Sequence, residues 1–528
     1  MPDLTRTWEY IEKWADETPQ AEAVVFEDRR ITYRELGRLV DDLAMALLDA
    51  GVERGDRVAL LSMGRPEFFT TYMAANKVGA MWLGLSPKFT LEELRYILRD
   101  CEPAVLVALR GYGGRDLGPD LESLARDFPF LKKVLVLGEP VAGTESFSDF
   151  VTRDRARLRS ALEARAAQVR TDDDALLLYT SGSTGKPKGV VHTHRSILAN
   201  IAVQSEHLYA ADRFRILLHF PINHVAAAVE IGFACIYEGG LCVMMDRFDP
   251  AETLRIVERE RITILGQVPA MYLMEFGVPG FPESDLSSIE VFAWGGSSPP
   301  KPVVDVLAGI AERTGAKLLT GYGATEMCGF VTYSSPADDL ETLLLGAGRC
   351  APSFELKIVD SDRNELRLGE VGEIAVRGPF LMKGYWNRPD ATRAVIDSDG
   401  WYYSGDLGRV GRDGTLFITG RKSEMYKTGG ENVYPREIED VIEQLPGVLM
   451  AAVVGVRHPL YQEVGHAFVM PHPNQSVAPE DLETHCRRHL ANFKVPKNFV
   501  IRPVLPLLPN GKVNKMALKA ELGEFTGG

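Results

Sequence analysis

Short apolar runs alternate with stretches of helical periodicity along most of the chain, and that beat limits the fold to a few architectures. Arg57–Leu61, Ala104–Val107, Val134–Leu137, Ala175–Leu178, Arg215–Phe220, Leu241–Met245 and Ile262–Leu265 read as buried strands. Between them, Tyr33–Ala50, Phe68–Gly79, Leu91–Arg99, Val225–Tyr237, Ala251–Glu260 and Pro299–Thr314 carry apolar residues at helical spacing. Strands that alternate with helices argue parallel sheets covered by helices on both faces. From Gly346 the texture changes to short strands and glycine turns, as in Val371–Arg377 and Leu416–Thr419, which suggests a small β-barrel. Past Gly420-Arg421-Lys422-Ser423 a separate small α+β domain is expected. The fold class is therefore α/β. A large N-terminal domain (residues 1–421) of two parallel-type αβα sheets plus a small barrel precedes a small C-terminal domain (residues 422–528).

The densest chemistry lies directly behind one buried strand, in Tyr179-Thr180-Ser181-Gly182-Ser183-Thr184-Gly185-Lys186-Pro187-Lys188-Gly189. Glycines let backbone N–H groups approach a polyanion and form a nest. Thr180, Ser181, Ser183 and Thr184 add hydroxyl donors, and Lys186 and Lys188 add charge. The combination suits a phosphate chain that is held briefly and released. It is not a Walker A loop: only two residues separate Gly182 from Gly185, and Pro187 stands where the Mg²⁺-binding hydroxyl should be.

At 528 residues the chain is long enough for about three to four units of ordinary domain size. With 59 basic and 73 acidic residues it carries a net charge of −14, which argues against a general nucleic-acid binder and makes any basic nucleotide pocket local. The six cysteines are scattered without a C-x-x-C and read as reduced thiols, consistent with a cytoplasmic protein. The first residues lack the apolar core of a secretory signal, and no apolar run approaches the ~20 residues of a membrane span.

Three more strand ends deliver loops, led by His224, Gly295-Gly296-Ser297 and Gly321-Tyr322-Gly323-Ala324-Thr325-Glu326. Ligands of open α/β sheets sit outside the carboxyl ends of the strands. In the third loop the glycines clear space for a planar ring, Tyr322 can stack on it, and Glu326 is a hard oxygen ligand suited to Mg²⁺ bridging phosphates. In Tyr403-Ser404-Gly405-Asp406 a carboxylate in a tight turn can accept both ribose hydroxyls, although an Asx-type turn between strands is an equally ordinary reading.

Taken together and in this order, the motifs resemble the adenylate-forming superfamily: acyl-CoA and aryl-CoA ligases, beetle luciferases and the adenylation domains of peptide synthetases. The likeness is nearest to acyl-CoA ligases. It implies ATP, Mg²⁺ and coenzyme A as co-substrates, with Tyr322 on adenine, Asp406 and Arg421 on ribose, and Thr184 sharing the metal with Glu326. Asn510-Gly511-Lys512 matches the closing motif, whose lysine on a mobile small domain reaches the carboxylate and the α-phosphate. Lys427, with Gly429 and Gly430, matches the loop that enters for the thiol half-reaction. By the same resemblance His224 would line the acyl site and gate thiol access, and Val225, Trp294, Gly295 and Met327 are expected to complete the acyl wall. The hinge position is commonly aspartate or lysine in the family and here is Ser423, which hinge mechanics tolerate. No aspartate opens the helix after His224, so an acid without an α-amino group is expected. The implied reaction makes acyl-AMP and pyrophosphate from a small-molecule carboxylic acid and ATP, then acyl-CoA and AMP. The alternative is a stand-alone adenylation enzyme loading a carrier-protein phosphopantetheine. A homodimer is left open.

Overall fold

The computed structural model describes residues 4–180, 187–208, 214–472, 475–507 and 513–523. Two mixed sheets dominate. The first runs Lys317–Thr320, Val291–Trp294, Ile264–Gln267, Arg215–Leu218, Leu241–Met244, Glu22–Phe26 and Arg29–Thr32, and every neighbouring pair but the last is parallel. The second runs Gly384–Tyr385, Lys188–Thr193, Asp174–Thr180, Met81–Leu85, Arg57–Leu61, Val105–Leu109, Lys133–Leu137 and Glu145–Ser146. It is parallel from Asp174–Thr180 onward, and its first two pairings are antiparallel. Parallel strands need both faces covered, which is why their sequences are near-continuous apolar runs.

The helix Pro66–Lys77 has all but one of its residues buried. A helix buried on nearly every side belongs inside a large protein, and its polar members Lys77 and Asn76 are bonded there, Lys77 to Glu12 and Asp41 and Asn76 to the Ala175 carbonyl. It packs against strands of both sheets, and Tyr72 stacks on Trp82 at 4.9 Å. The largest hydrophobic cluster joins side chains from both sheets, and two more fill their outer layers. The sequence reading of the barrel segment corresponds to a four-stranded antiparallel sheet, Glu355–Val359, Gly372–Arg377, Tyr402–Val410 and Leu416–Arg421. A bridge from Arg349 to Thr415 links it to the ladder Thr332–Tyr333 with Arg349–Cys350.

One expected helix is built differently. The stretch after His224 is a π-helical turn, Ala226–Ile231, followed by an α-helix, Gly232–Glu238. A methyl group on Gly232 would lie 2.6 Å from the Ala227 carbonyl and 2.8 Å from the Phe68 ring. The wider turn lets this chain pass close to the central helix. Such turns concentrate at functional sites.

Beyond the turn at Ser423, Tyr426–Thr428, Glu431–Val433, Val448–His458, Gln462–Pro471 and Asn498–Ile501 form one sheet, with Pro435–Glu443 and Pro479–His489 as helices. Two hydrophobic clusters are made only of residues from Tyr426 onward. All six cysteines are free and five are buried.

Candidate active site

The phosphate-loop candidate spans a hairpin: Thr180 on Asp174–Thr180 pairs with Lys188 on Lys188–Thr193. Ser181, Gly182, Ser183, Thr184 and Gly185, together with Lys186, lie outside the described residues. Its frame is clear. The Tyr179 hydroxyl donates to Asp100 Oδ2 at 2.7 Å, and the Tyr96 hydroxyl donates to the Pro187 carbonyl at 3.0 Å. Tyr96 and Asp100 are four residues apart on the helix Leu91–Cys101, so they share a face. One helix therefore pins both ends of the loop. Asp100 also takes Arg388 at 2.6 Å, and its carbonyl accepts the Trp386 indole N–H at 3.0 Å. None of these four residues stands out in the sequence, because each lies far from the loop it holds.

The turn at Tyr322 follows the strand Lys317–Thr320. The Tyr322 hydroxyl donates to Asp406 Oδ2 at 2.8 Å. Asp406 and Arg421 are cross-strand partners, and Arg421 Nε lies 3.2 Å from Asp406 Oδ1. The adenine and ribose candidates thus meet by direct contact. Burial pushes the Tyr322 hydroxyl well above its ordinary pKa, so it stays a donor. Gly321 and Gly323 serve the chain's own packing rather than only a ligand ring. A methyl group on Gly323 would lie 2.0 Å from the Gly329 carbonyl, and one on Gly321 would lie 2.3 Å from the Thr332 carbonyl.

Glu326 sits in the turn Thr325–Met327, with Ala324 before it in a two-residue ladder. Its Oε1 accepts the Tyr385 hydroxyl at 2.9 Å, and Lys188 Nζ lies 5.1 Å above the same tyrosine ring. The turn is thus tied back to the hairpin of Thr180 and Lys188. Burial raises the Glu326 carboxyl above its ordinary range. A hard cation beside it would reverse that shift. Among the described residues no group of three His, Cys, Asp or Glu side chains is placed to hold a metal. Glu326 suits a cation that brings its other oxygens with it, as a metal carried by a phosphate chain does.

His192 is a site neighbour the motifs did not single out. Its Nε2 lies 2.6 Å from the Thr325 carbonyl, and burial lowers its pKa to about 4. It is therefore neutral, with Nε2–H donating to the loop. Asn200 Nδ2 donates to the carbonyls of Met327 (3.3 Å) and Phe330 (2.9 Å). Glu230 Oε1 accepts the Phe330 N–H at 3.0 Å, and burial raises its carboxyl to about 7.

Of the acyl-wall candidates, His224 and Val225 are half-buried where the π turn begins, and Gly295 follows the strand Val291–Trp294. Met327 is fully buried. Trp294 corrects the expectation: its side chain belongs to the outer core with Phe292, Val303 and Leu307. Strand alternation sends Phe292 and Trp294 to that face and Ala293 to the other. Phe330 packs over Gly295 instead, with a methyl on that glycine 2.3 Å from Phe330 Cζ. Gly296, in a left-handed conformation at φ 81°, and Ser297 are exposed beside it.

On the small domain, Lys427 is exposed on Tyr426–Thr428, and its backbone N–H donates to Glu463. Gly429 and Gly430 are left-handed at φ 59° and 92°, with open space around both. Ser423 is exposed in a turn in which Glu424 and Met425 N–H donate to the Arg421 carbonyl. Lys512 lies outside the described residues. Three residues on, Lys515 Nζ contacts Glu424 Oε2 and Glu439 Oε1, each at 2.7 Å.

Residues 11–386 match the AMP-binding enzyme family, and residues 437–512 match the AMP-binding enzyme C-terminal domain. The chain is 33% identical over 497 residues to the long-chain-fatty-acid–CoA ligase FadD13 of Mycobacterium tuberculosis, covering 94% of this chain and 93% of that one. It is 34% identical over 511 residues to a feruloyl-CoA synthase of Amycolatopsis, covering 96% and 97%. The crystal structure of the anthranilate CoA ligase AuaEII with anthranoyl-AMP superposes with a TM-score of 0.87 over 99% of each chain, at 24% identity, which shows the shared fold. With both family domains matched and relatives of this identity aligned nearly end to end, the chain belongs to the adenylate-forming, AMP-binding enzymes.

Proposed function

We propose that the protein is an AMP-forming acid–thiol ligase with coenzyme A as acceptor. In the first step a carboxylate attacks the α-phosphate of ATP, giving acyl-AMP and pyrophosphate. In the second the thiol of coenzyme A attacks the acyl carbon and AMP leaves. The direct contact of Tyr322, Asp406 and Arg421 carries this reading. A nucleoside laid there has a ring platform, a carboxylate for its hydroxyls and a cation beside them.

The first step brings two anions together, so the barrier depends on cations at the developing charge. Lys188 and the loop 181–186 are suited to the phosphates, and Mg²⁺ arrives with ATP as part of the substrate, toward Glu326 and Thr184. Lys512 is assigned to the carboxylate and α-phosphate. A unit charge at ~4 Å contributes about 4 kcal/mol at an effective dielectric of ~20. The small domain, bounded at residues 421/422, then turns about Ser423, which withdraws Lys512 and presents Lys427, Gly429 and Gly430 to the thiol. Such a rotation lets one site serve two transition states. His224 is assigned to the acyl site, where it would gate the approach of the thiol.

The test is pyrophosphate release across a panel of carboxylic acids, with AMP release followed with and without coenzyme A. Acid-dependent pyrophosphate, with AMP appearing only when coenzyme A is added and no carrier protein is present, is expected. AMP release that needs a phosphopantetheinylated carrier would reassign the acceptor. The absence of acid-dependent pyrophosphate would remove the reading altogether.

A further inference from the structure

Two adjacent parallel strands, Val291–Trp294 and Lys317–Thr320, end at the positions where an open α/β sheet takes its ligand. Each is followed by a glycine, Gly295 and Gly321, and side-chain-free residues there open a slot next to Tyr322. One side chain already occupies it. Methyl groups on the two glycines would lie 2.3 Å from Phe330 Cζ and 2.7 Å from Phe330 Cδ2. The ring therefore lies across both strand ends in van der Waals contact. The residue is half-buried, so part of it remains accessible.

The backbone beneath the ring is held firmly. The Phe330 N–H donates to Glu230, its carbonyl accepts from Asn200 at 2.9 Å and from the Tyr333 hydroxyl at 3.1 Å, and residue 330 pairs with Gly323 in a ladder. Tyr333 meets the ring edge-on at 6.1 Å and is itself stacked on His207 at 4.4 Å. The ring cannot retreat with its main chain; it can leave only by rotating about its own side-chain bonds.

We infer that Phe330 sets the depth of the acid slot, so that the protein selects compact carboxylic acids and rejects extended acyl chains. This rests on the ligase reading above. A hydrophobic pocket separates substrates differing by one methylene by about 10-fold or more, so an aromatic ring filling the end of the slot is a strong filter. A chain long enough to reach it must displace the ring from two glycines and from Tyr333.

The experiment is pyrophosphate release by the full-length enzyme with butanoate, octanoate, dodecanoate and hexadecanoate, comparing wild type, Phe330→Ala and Phe330→Leu. Wild type is expected to favour the short acids. Phe330→Ala is expected to raise the ratio of kcat/KM for dodecanoate over butanoate at least about 10-fold, with Phe330→Leu intermediate. Gly295→Ala is expected to cripple wild type and to be tolerated in Phe330→Ala, because the clash exists only with the ring. Retained butanoate turnover shows that a variant is folded. Should Phe330→Ala fail to fold, the leucine variant carries the same comparison. A wild-type optimum at hexadecanoate, or an unchanged ratio in the folded variants, overturns the inference and leaves the ligase reading standing. No acid-dependent pyrophosphate from wild type with these four acids or with any acid of the wider panel overturns both.

Discussion

The Tyr322 hydroxyl and the Asp406 carboxylate meet at 2.8 Å although 84 residues separate them in sequence. The contact joins the last strand of the first large sheet to the four-stranded sheet that follows. Asp406 thus has a tyrosine on one oxygen and Arg421 beside the other before any nucleotide binds. Hydrogen bonds to a charged group contribute about 1.5–3 kcal/mol. Tyr322→Phe is expected to lower unfolding free energy by roughly that amount while keeping the ring platform. Asp406→Ala should raise KM for ATP at least about 10-fold, since it also leaves Arg421 unpaired. Denaturant melts and ATP titrations of pyrophosphate release separate the two; a larger KM effect from Tyr322→Phe would contradict this division of labour.

Asp100 offers a test of the loop frame. It holds Tyr179, Arg388 and Trp386, and touches neither phosphate nor acid in the proposed reaction. Asp100→Asn should loosen one end of the phosphate loop and lower kcat/KM for ATP about 10-fold, on the scale of one lost charged hydrogen bond. Thiolysis of supplied acyl-adenylate should change far less. Equal loss in both half-reactions would mean that the helix supports the whole fold rather than the loop.

For Lys512 the split between half-reactions is sharper. Removing one electrostatic contact at a reacting centre costs roughly 10²- to 10³-fold in rate. Lys512→Ala should slow adenylate formation by at least that factor and leave thioester formation from acyl-adenylate nearly intact. Rapid-quench measurement of each step decides it, and a parallel fall in both would reassign the residue.

Lys515 ties the start of the last described helix to Glu424, one residue past Ser423, and to the buried Glu439. Lys515→Met should leave Glu439 without this cation. The expected result is slower adenylation, and Lys515→Arg should restore most of it. Loss of thermal stability without any preference between the half-reactions would show a purely structural ion pair.

Glu230 predicts a pH dependence. Its carboxyl has an ordinary value of 4.5 and is raised to about 7, chiefly by burial. Between those values the native state holds a proton that the unfolded state has lost. Its contribution is complete below about 4.5 and is lost as pH rises through about 7, which costs about 3 kcal/mol above that point. Glu230→Gln can still accept the Phe330 N–H and carries no such charge. The variant should melt higher than wild type at about pH 8 and lose that advantage near pH 5. An equal difference at both pH values would show that Glu230 is not the titrating group.

How much was legible beforehand follows physical range. Period-2 and period-3.6 patterning is local, so the alternation of strands and helices and the buried strand before the glycine- and lysine-rich loop could be read from residues in order. The helix expected over Val225–Tyr237 is present but opens with a π turn that no local pattern announces, because that turn answers to Gly232 passing Phe68, a contact between distant segments. Trp294 was expected in the acyl wall for a related reason: strand period says that it alternates with Ala293, but not which face meets the site.

By itself, the amino-acid sequence determined which segments become strands and helices, and where glycine, hydroxyl and lysine gather behind a strand. Those properties depend on neighbours a few residues away. Only the tertiary structure decided that Tyr322 finds Asp406, that Tyr96 and Asp100 pin a loop some 80 to 90 residues downstream, and that Phe330 lies over Gly295. Each of those contacts joins segments whose meeting depends on how the sheets stack and cross over, and no local pattern encodes that.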